Sequence, residues 1–346
     1  MERRAKIRAE IQALWAPINA IYDSGTPFFT KAAIGSLVQQ IDEAGIRRVQ
    51  TEPRSLKLSI AGIDGKMVDI SLQIGVKHPI PLHWPPPEDG SVLMDAMLSI
   101  DLRPIDHLTS TASHFVSDFD LRTAFLTMTV NVLTVPVLLA TGEVVPDTSV
   151  RPASETRAVL QQEKAKWDAS AACRELMATL QVVADASRLP HVDKVVAFAC
   201  HRPSVVERAE RVATEHALVL SIRDFFIQHS PTTIVRCYTQ DPIYEDIDRE
   251  VLEELGMIVL DHPRGFLEVD ESTVVFSLAP GIAIRQIVAD IARPALMIWD
   301  KLTCQNRADN ISPRVEEMIK DYTEFPFPSE LAGFGSQLAV YVRNYC

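Results

Sequence analysis

Between residues 190 and 302, short runs of apolar residues alternate with amphipathic stretches of helical length. The apolar runs are KVVAFA (194–199), TTIVRCY (232–238), MIVLD (257–261), STVVFSLA (272–279) and ALMIW (295–299). Between them stand SVVERAERVATEHALVLSIRDFFIQ (204–228), PIYEDIDREVLEELG (242–256) and IAIRQIVADIA (282–292). A strand that is apolar on both faces must be covered on both. Strands joined by helical crossovers therefore form a parallel sheet between two helical layers. The expected fold class is α/β, with a Rossmann-like, mostly parallel sheet, and ligands collect at the carboxyl ends of its strands.

This region extends upstream. SETRAVLQQEKAKWDASAACRELMATLQVVADA (154–186) reads as a long amphipathic helix capped by Ser154, with a break near Ala169-Ser170. Residues 151–346 thus form the α/β domain, its core at about 190–302, and residues 1–150 an N-terminal α+β extension. In that extension Ile7, Ile11, Leu14 and Ile18 recur at helical spacing, and KAAIGSLVQQIDEAG is a second helix, with Thr30 at its start. Two alternating runs flank Asp64-Gly65, a hairpin signal. HPIPLHWPPPEDG (78–90) is a proline-rich loop, and VLMDAMLSIDL (92–102) suits strand or helix. AFLTMTVNVLTVPVLLA (124–140) is interrupted by Asn131 and Pro136 and is too short for a membrane span; it predicts a buried helix or strand pair.

The 346 residues carry a formal net charge of −12 with 47% hydrophobic residues. Such a chain buries a sizeable core and is neither a general DNA coat nor a polybasic membrane binder. Basic clusters exist locally: Arg47-Arg48, Lys164-Lys166, and the trio Arg202, Arg208 and Arg211. The five cysteines show no metal-ligand spacing, and the nine histidines form no HExxH. The charged, amphipathic N-terminus lacks the pattern of a signal peptide. A reduced, cytoplasmic protein without metal or cofactor is expected.

Two turns could carry chemistry. ACHRPS (199–204) stands where a dinucleotide fold places its glycines, and it contains none. Ser204 there is a helix N-cap or a nucleophile, with His201 as a neighbouring base. The second turn follows TTIVRCY. Asp241 before Pro242 reads as an N-cap followed by proline at the first helical position. Ile247, Val251 and Leu255 form the apolar stripe, leaving Glu250, Glu253 and Glu254 to solvent. Asp241 and Glu245 together either cap the helix or hold a guanidinium or ammonium. Ser277, Asp261, His262 and Asp300 also end strands at this edge.

VDKVVAFA, YTQDPIYEDIDREVLEELGMIVLD and VDESTVVFSLAPG together resemble the SRR-like (sensitivity to red light reduced) domain family, over roughly residues 190–302. IYDSGTPFFTKAAI resembles the leader of fungal members. One fungal branch comprises arginine-containing cyclodipeptide synthases, associated with a DDxxE-type motif. Asp241-Pro242-Ile243-Tyr244-Glu245 keeps its first and last acids and has Pro in the second place. The resemblance implies that arginyl-tRNA and a second aminoacyl-tRNA are joined into a cyclo-Arg-Xaa diketopiperazine. It implies Asp241 and Glu245 as holders of the arginyl cation or attacking amine. Tyr244, His201 and Ser277 then line the substrate, Ser204 is a transient acyl acceptor unless attack is direct, and Arg202, Arg208 and Arg211 meet tRNA. Two other readings stand beside it: a non-catalytic regulatory or interaction protein, and a hydrolase using Ser204 and His201.

Overall fold

The structure, a computed structural model, describes residues 2–46, 49–78, 91–110, 121–138, 140–145, 149–185, 191–229, 233–302, 308–328 and 338–344. Arg47-Arg48, the proline-rich segment 79–90, Cys304 and Cys346 lie outside them. The chain divides into two compact units, Met1–Asp147 and Thr148–Cys346.

The first unit opens with α1 (Glu2–Asp23) and α2 (Lys31–Glu43). Thr30 caps α2, its hydroxyl accepting the Ala33 N–H at 3.1 Å. β1 (Arg54–Ala61) and β2 (Met67–Ile74) pair antiparallel around the Asp64-Gly65 turn, where Gly65 takes φ +78°. A second sheet holds β3 (Val76–His78), β4 (Ser91–Leu102) and β5 (Met128–Leu138), with a short α3 (Ile105–Leu108) after β4. The ambiguous run 92–102 is thus a strand. The run 124–140 contributes one strand rather than a helix or a strand pair. Met128 and Val130 are buried at alternate positions, with the partly exposed Thr129 between them and the exposed Asn131 after them, the period of a sheet covered on one face.

In the second unit, α4 (Ala153–Ala169) and α5 (Ala171–Asp185) are separate helices. They divide at Ser170, whose hydroxyl donates to the Trp167 carbonyl at 2.7 Å and accepts the Cys173 N–H at 3.0 Å. Ser154 is not the cap: Pro152 holds that position, because a proline with extended backbone can precede a helix without losing a bond.

Then follow β6 (Lys194–Phe198), α6 (Ala209–His229), β7 (Arg236–Gln240), α7 (Asp246–Glu254), β8 (Ile258–Val259), α8 (Gly265–Glu268), β9 (Thr273–Ser277), α9 (Ile284–Ile291), β10 (Leu296–Asp300), α10 (Pro313–Ile319), β11 (Tyr322–Pro326) and β12 (Leu338–Arg343). The sheet order is β11-β12-β10-β9-β6-β7-β8. β6 to β10 are parallel, and β11 and β12 add on antiparallel. This is an α/β fold with a mostly parallel seven-stranded sheet flanked by helices. α4 to α7 share one core with the sheet face bearing Val195, Cys237, Phe276 and Ile298. α8 lies on the opposite face, where Phe266 stacks on Phe198 at 4.7 Å. The chain leaves β6 toward β7 and β8, then returns to β6's other side as β9. The order therefore reverses between β6 and β9, the place where such sheets open a crevice.

Candidate functional site

The loop leaving β6 is held in costly backbone shapes. Ala199, His201 and Arg208 have φ of 58°, 60° and 63°, and Ala279, after β9, has φ 44°. Side chains with a Cβ rarely adopt this left-handed region, and such residues concentrate at functional sites. Ala199, His201 and Ala279 lie on the two loops that flank the order reversal.

Asp241 fastens the first of these loops. One carboxylate oxygen accepts the His201 N–H at 2.9 Å; the other accepts the Ile243 N–H at 3.1 Å. Asp241 is therefore not the cap of α7. It closes a local turn with the residue two ahead, a competing habit of aspartate that postpones the helix. Burial raises its carboxyl above the usual aspartate range, opposed by the two N–H bonds.

Glu245 is the cap. It forms a capping box with Asp248: the Asp248 carboxylate accepts the Glu245 N–H at 2.9 Å, and the Glu245 side chain accepts from the backbone of residue 248. Asp248 is fully buried. It also accepts the Ser204 N–H at 3.0 Å and the Arg202 Nε–H at 3.2 Å. Arg202 is buried as well, and its guanidinium reaches Glu245 at 2.8 Å. The acidic turn thus holds a cation, and that cation is the protein's own.

The other expected site residues scatter by depth. Tyr244 is buried, its hydroxyl between His216 Nε2 at 3.0 Å and Thr239 Oγ1 at 2.9 Å. His216 Nδ1 lies 2.8 Å from the Val212 carbonyl and must donate to it, so Nε2 accepts from Tyr244. Burial holds the His216 pKa down to about 4, which keeps the ring neutral. Ser204 precedes α6 rather than capping it and is fully buried, so neither the N-cap role nor an open nucleophile fits its position. His201 is exposed, with Nδ1 3.1 Å from the Ala199 carbonyl. Of the basic trio, Arg202 points into the carboxylate pair and Arg211 binds Glu215 at 3.1 Å; Arg208 is exposed. The Arg202 guanidinium is thus buried against carboxylates rather than presented at the surface.

Glu215, Asp248, His216 and Trp299 were not singled out from sequence. The Asp248 signal was present: an acid three residues after an acidic cap is the capping-box spacing. Glu215 gave no signal, since an acid on a long helix reads as solvated. It is buried, and burial pushes its carboxyl up to about 8 against the pull of Arg211. Among the described residues, no cluster of three His, Cys, Asp or Glu could hold a metal, and no helix is long and apolar enough to cross a membrane.

Residues 170–327 match the SRR1 domain. The match begins at the Ser170 break, covers the crevice and both strained loops, and ends after β11. No curated protein matches the chain.

Proposed function

We propose that the SRR1 domain of this chain is an aminoacyl-tRNA-dependent synthase of an arginine-containing cyclic dipeptide, working at the crevice between β6 and β9. A site there is supported by one observation above others: Ala199, His201 and Ala279 bring left-handed backbone to both loops at the order reversal. The reaction class comes from the resemblance of Asp241-Pro242-Ile243-Tyr244-Glu245 to the synthase motif. In that chemistry the α-amine of one aminoacyl ester attacks the carbonyl of the other. An amide forms, the first tRNA leaves by its ribose hydroxyl, and the amine's proton passes to a base. The freed α-amine then attacks the remaining ester, closing the ring and releasing the second tRNA. Two esters are exchanged for two amides, so the esters supply the driving force.

In this scheme Glu245, with about half its side chain exposed, meets the substrate guanidinium while also paired with Arg202. Asp241 sets the loop behind it. The buried Ser204 favours direct aminolysis over an acyl-enzyme. Incubation with purified arginyl-tRNA and a second aminoacyl-tRNA, read by mass spectrometry, tests the proposal. A diketopiperazine that disappears with ribonuclease is expected.

A second reading, a non-catalytic regulatory or interaction domain, draws on the self-contained Glu245–Arg202–Asp248 group, which already satisfies its charges internally. Absence of product with every charged tRNA, from folded protein, would favour it.

A further inference from the structure

A row of side chains crosses the carboxyl edge of the sheet on the α8 face. Gln240, Phe198 and Ser277 are in register across β7, β6 and β9. Trp299 stands one residue beyond the Ile298–Phe276 pair, and so beside Ser277 on the same face. Gln240 is engaged: its carbonyl accepts the Gly265 N–H, and its amide nitrogen lies 3.1 Å from His262 Nδ1. Ser277 Oγ and Trp299 Nε1 are different. Both residues are 1% exposed, and neither atom has a hydrogen-bond partner among the described residues. An indole N–H can only donate, and a serine hydroxyl can turn to donate. The two donors stand on neighbouring strands beside the order reversal, and each is left needing an acceptor oxygen.

Charge selects the kind of oxygen. Asp300, next to Trp299, is buried and accepts the Ala279 N–H at 3.2 Å. Arg285, the buried guanidinium on this side, donates to the Asp309 carboxylate at 2.9 Å and to the Asp300 carbonyl at 3.3 Å. That guanidinium is already taken by a carboxylate and a backbone carbonyl, and the buried Asp300 carboxyl follows Trp299 directly, so a further anion is disfavoured here. A neutral carbonyl needs no counter-charge.

We propose that Ser277 and Trp299 form a binding subsite for the neutral amide or ester carbonyl of a small ligand. Access requires the segment after β9 to part, where Ala279 and Gly281 are exposed. The choice of a cyclic dipeptide as probe rests on the synthase reading; the donor pair does not.

The test is ¹⁵N-labelled full-length protein titrated with cyclo-Gly-Phe, a neutral diketopiperazine, and separately with zwitterionic linear Gly-Phe, following the indole N–H signals. Trp299→Phe removes, and so assigns, its signal. Saturable movement of that signal with the cyclic compound is expected, with weaker movement for the linear one. Ser277→Ala should weaken binding about tenfold, the loss of one hydrogen bond. If Trp299→Phe does not fold, the affinity of the nearly isosteric Ser277→Ala carries the test. An unmoved Trp299 signal, as for a pair bridged by buried water alone, overturns the proposal, as does equal affinity in Ser277→Ala. The titration uses neither tRNA nor turnover. Product without a shift would sink the subsite alone, and a shift without product would sink the synthase alone.

Discussion

A carboxylate that accepts two backbone N–H groups responds to amide replacement differently from one that holds a guanidinium. Asp241→Asn keeps one acceptor and turns an N–H toward another, so a part-buried backbone donor loses its partner. A loss of about 1–3 kcal/mol is expected in chemical unfolding, where a mere cap would tolerate Asn. Asp248→Asn should cost more, on the order of 3–5 kcal/mol, because Arg202 would stay buried beside a neutral amide. Glu245→Gln, at a half-exposed position, should cost less than about 1 kcal/mol. Urea titration of the three variants checks the order; Glu245→Gln as the worst would overturn the assignment of Asp248 as the buried keystone. Glu215 sets a pH dependence. Its folded pKa, near 8, is above the ordinary glutamate value, so the folded state binds the proton more tightly. The resulting stability is full at pH below about 4.5 and is lost as pH rises toward 8. Glu215→Gln should flatten the decline in melting temperature between pH 5 and 8. An unchanged profile would show that this carboxyl is already ionised.

At the scale of elements, the sequence was legible wherever period and burial agreed. The apolar runs at 194–199, 272–279 and 295–299 became β6, β9 and β10, since nothing but a buried strand suits them. The starts of α6 and α7 were misplaced for one reason. The Asp241 carboxylate has the chemistry of a cap but is claimed by the distant His201 N–H, and the Ser204 backbone is held short of α6 by its N–H bond to Asp248. No local pattern contains that pairing. The break at Ser170 was visible, and its side chain explains it. Ser170→Ala removes the bond to the Cys173 N–H and should cost about 1 kcal/mol, read by thermal unfolding.

At the scale of the molecule, the matched segment 170–327 is less than the folded unit. β12 lies between β10 and β11, and Leu160 and Trp167 of α4 belong to the core of the second unit. A chain of residues 148–346 should melt cooperatively, while 170–327, lacking β12 and α4, should not; a cooperative melt of the shorter chain would show that these parts are accessory. The candidate site was legible as a place, the carboxyl edge of the sheet, because topology puts it there. Its inner polar groups were not, because a buried Glu215 or Trp299 looks in sequence like any helix acid or strand aromatic. The most direct measurement of the whole account is mass spectrometry of wild-type protein incubated with arginyl-tRNA and a panel of second aminoacyl-tRNAs. A ribonuclease-sensitive cyclo-Arg-Xaa product, reduced about tenfold or more in folded Glu245→Gln, is the predicted result. No diketopiperazine from any pair, or one made at full yield by Glu245→Gln, would contradict it.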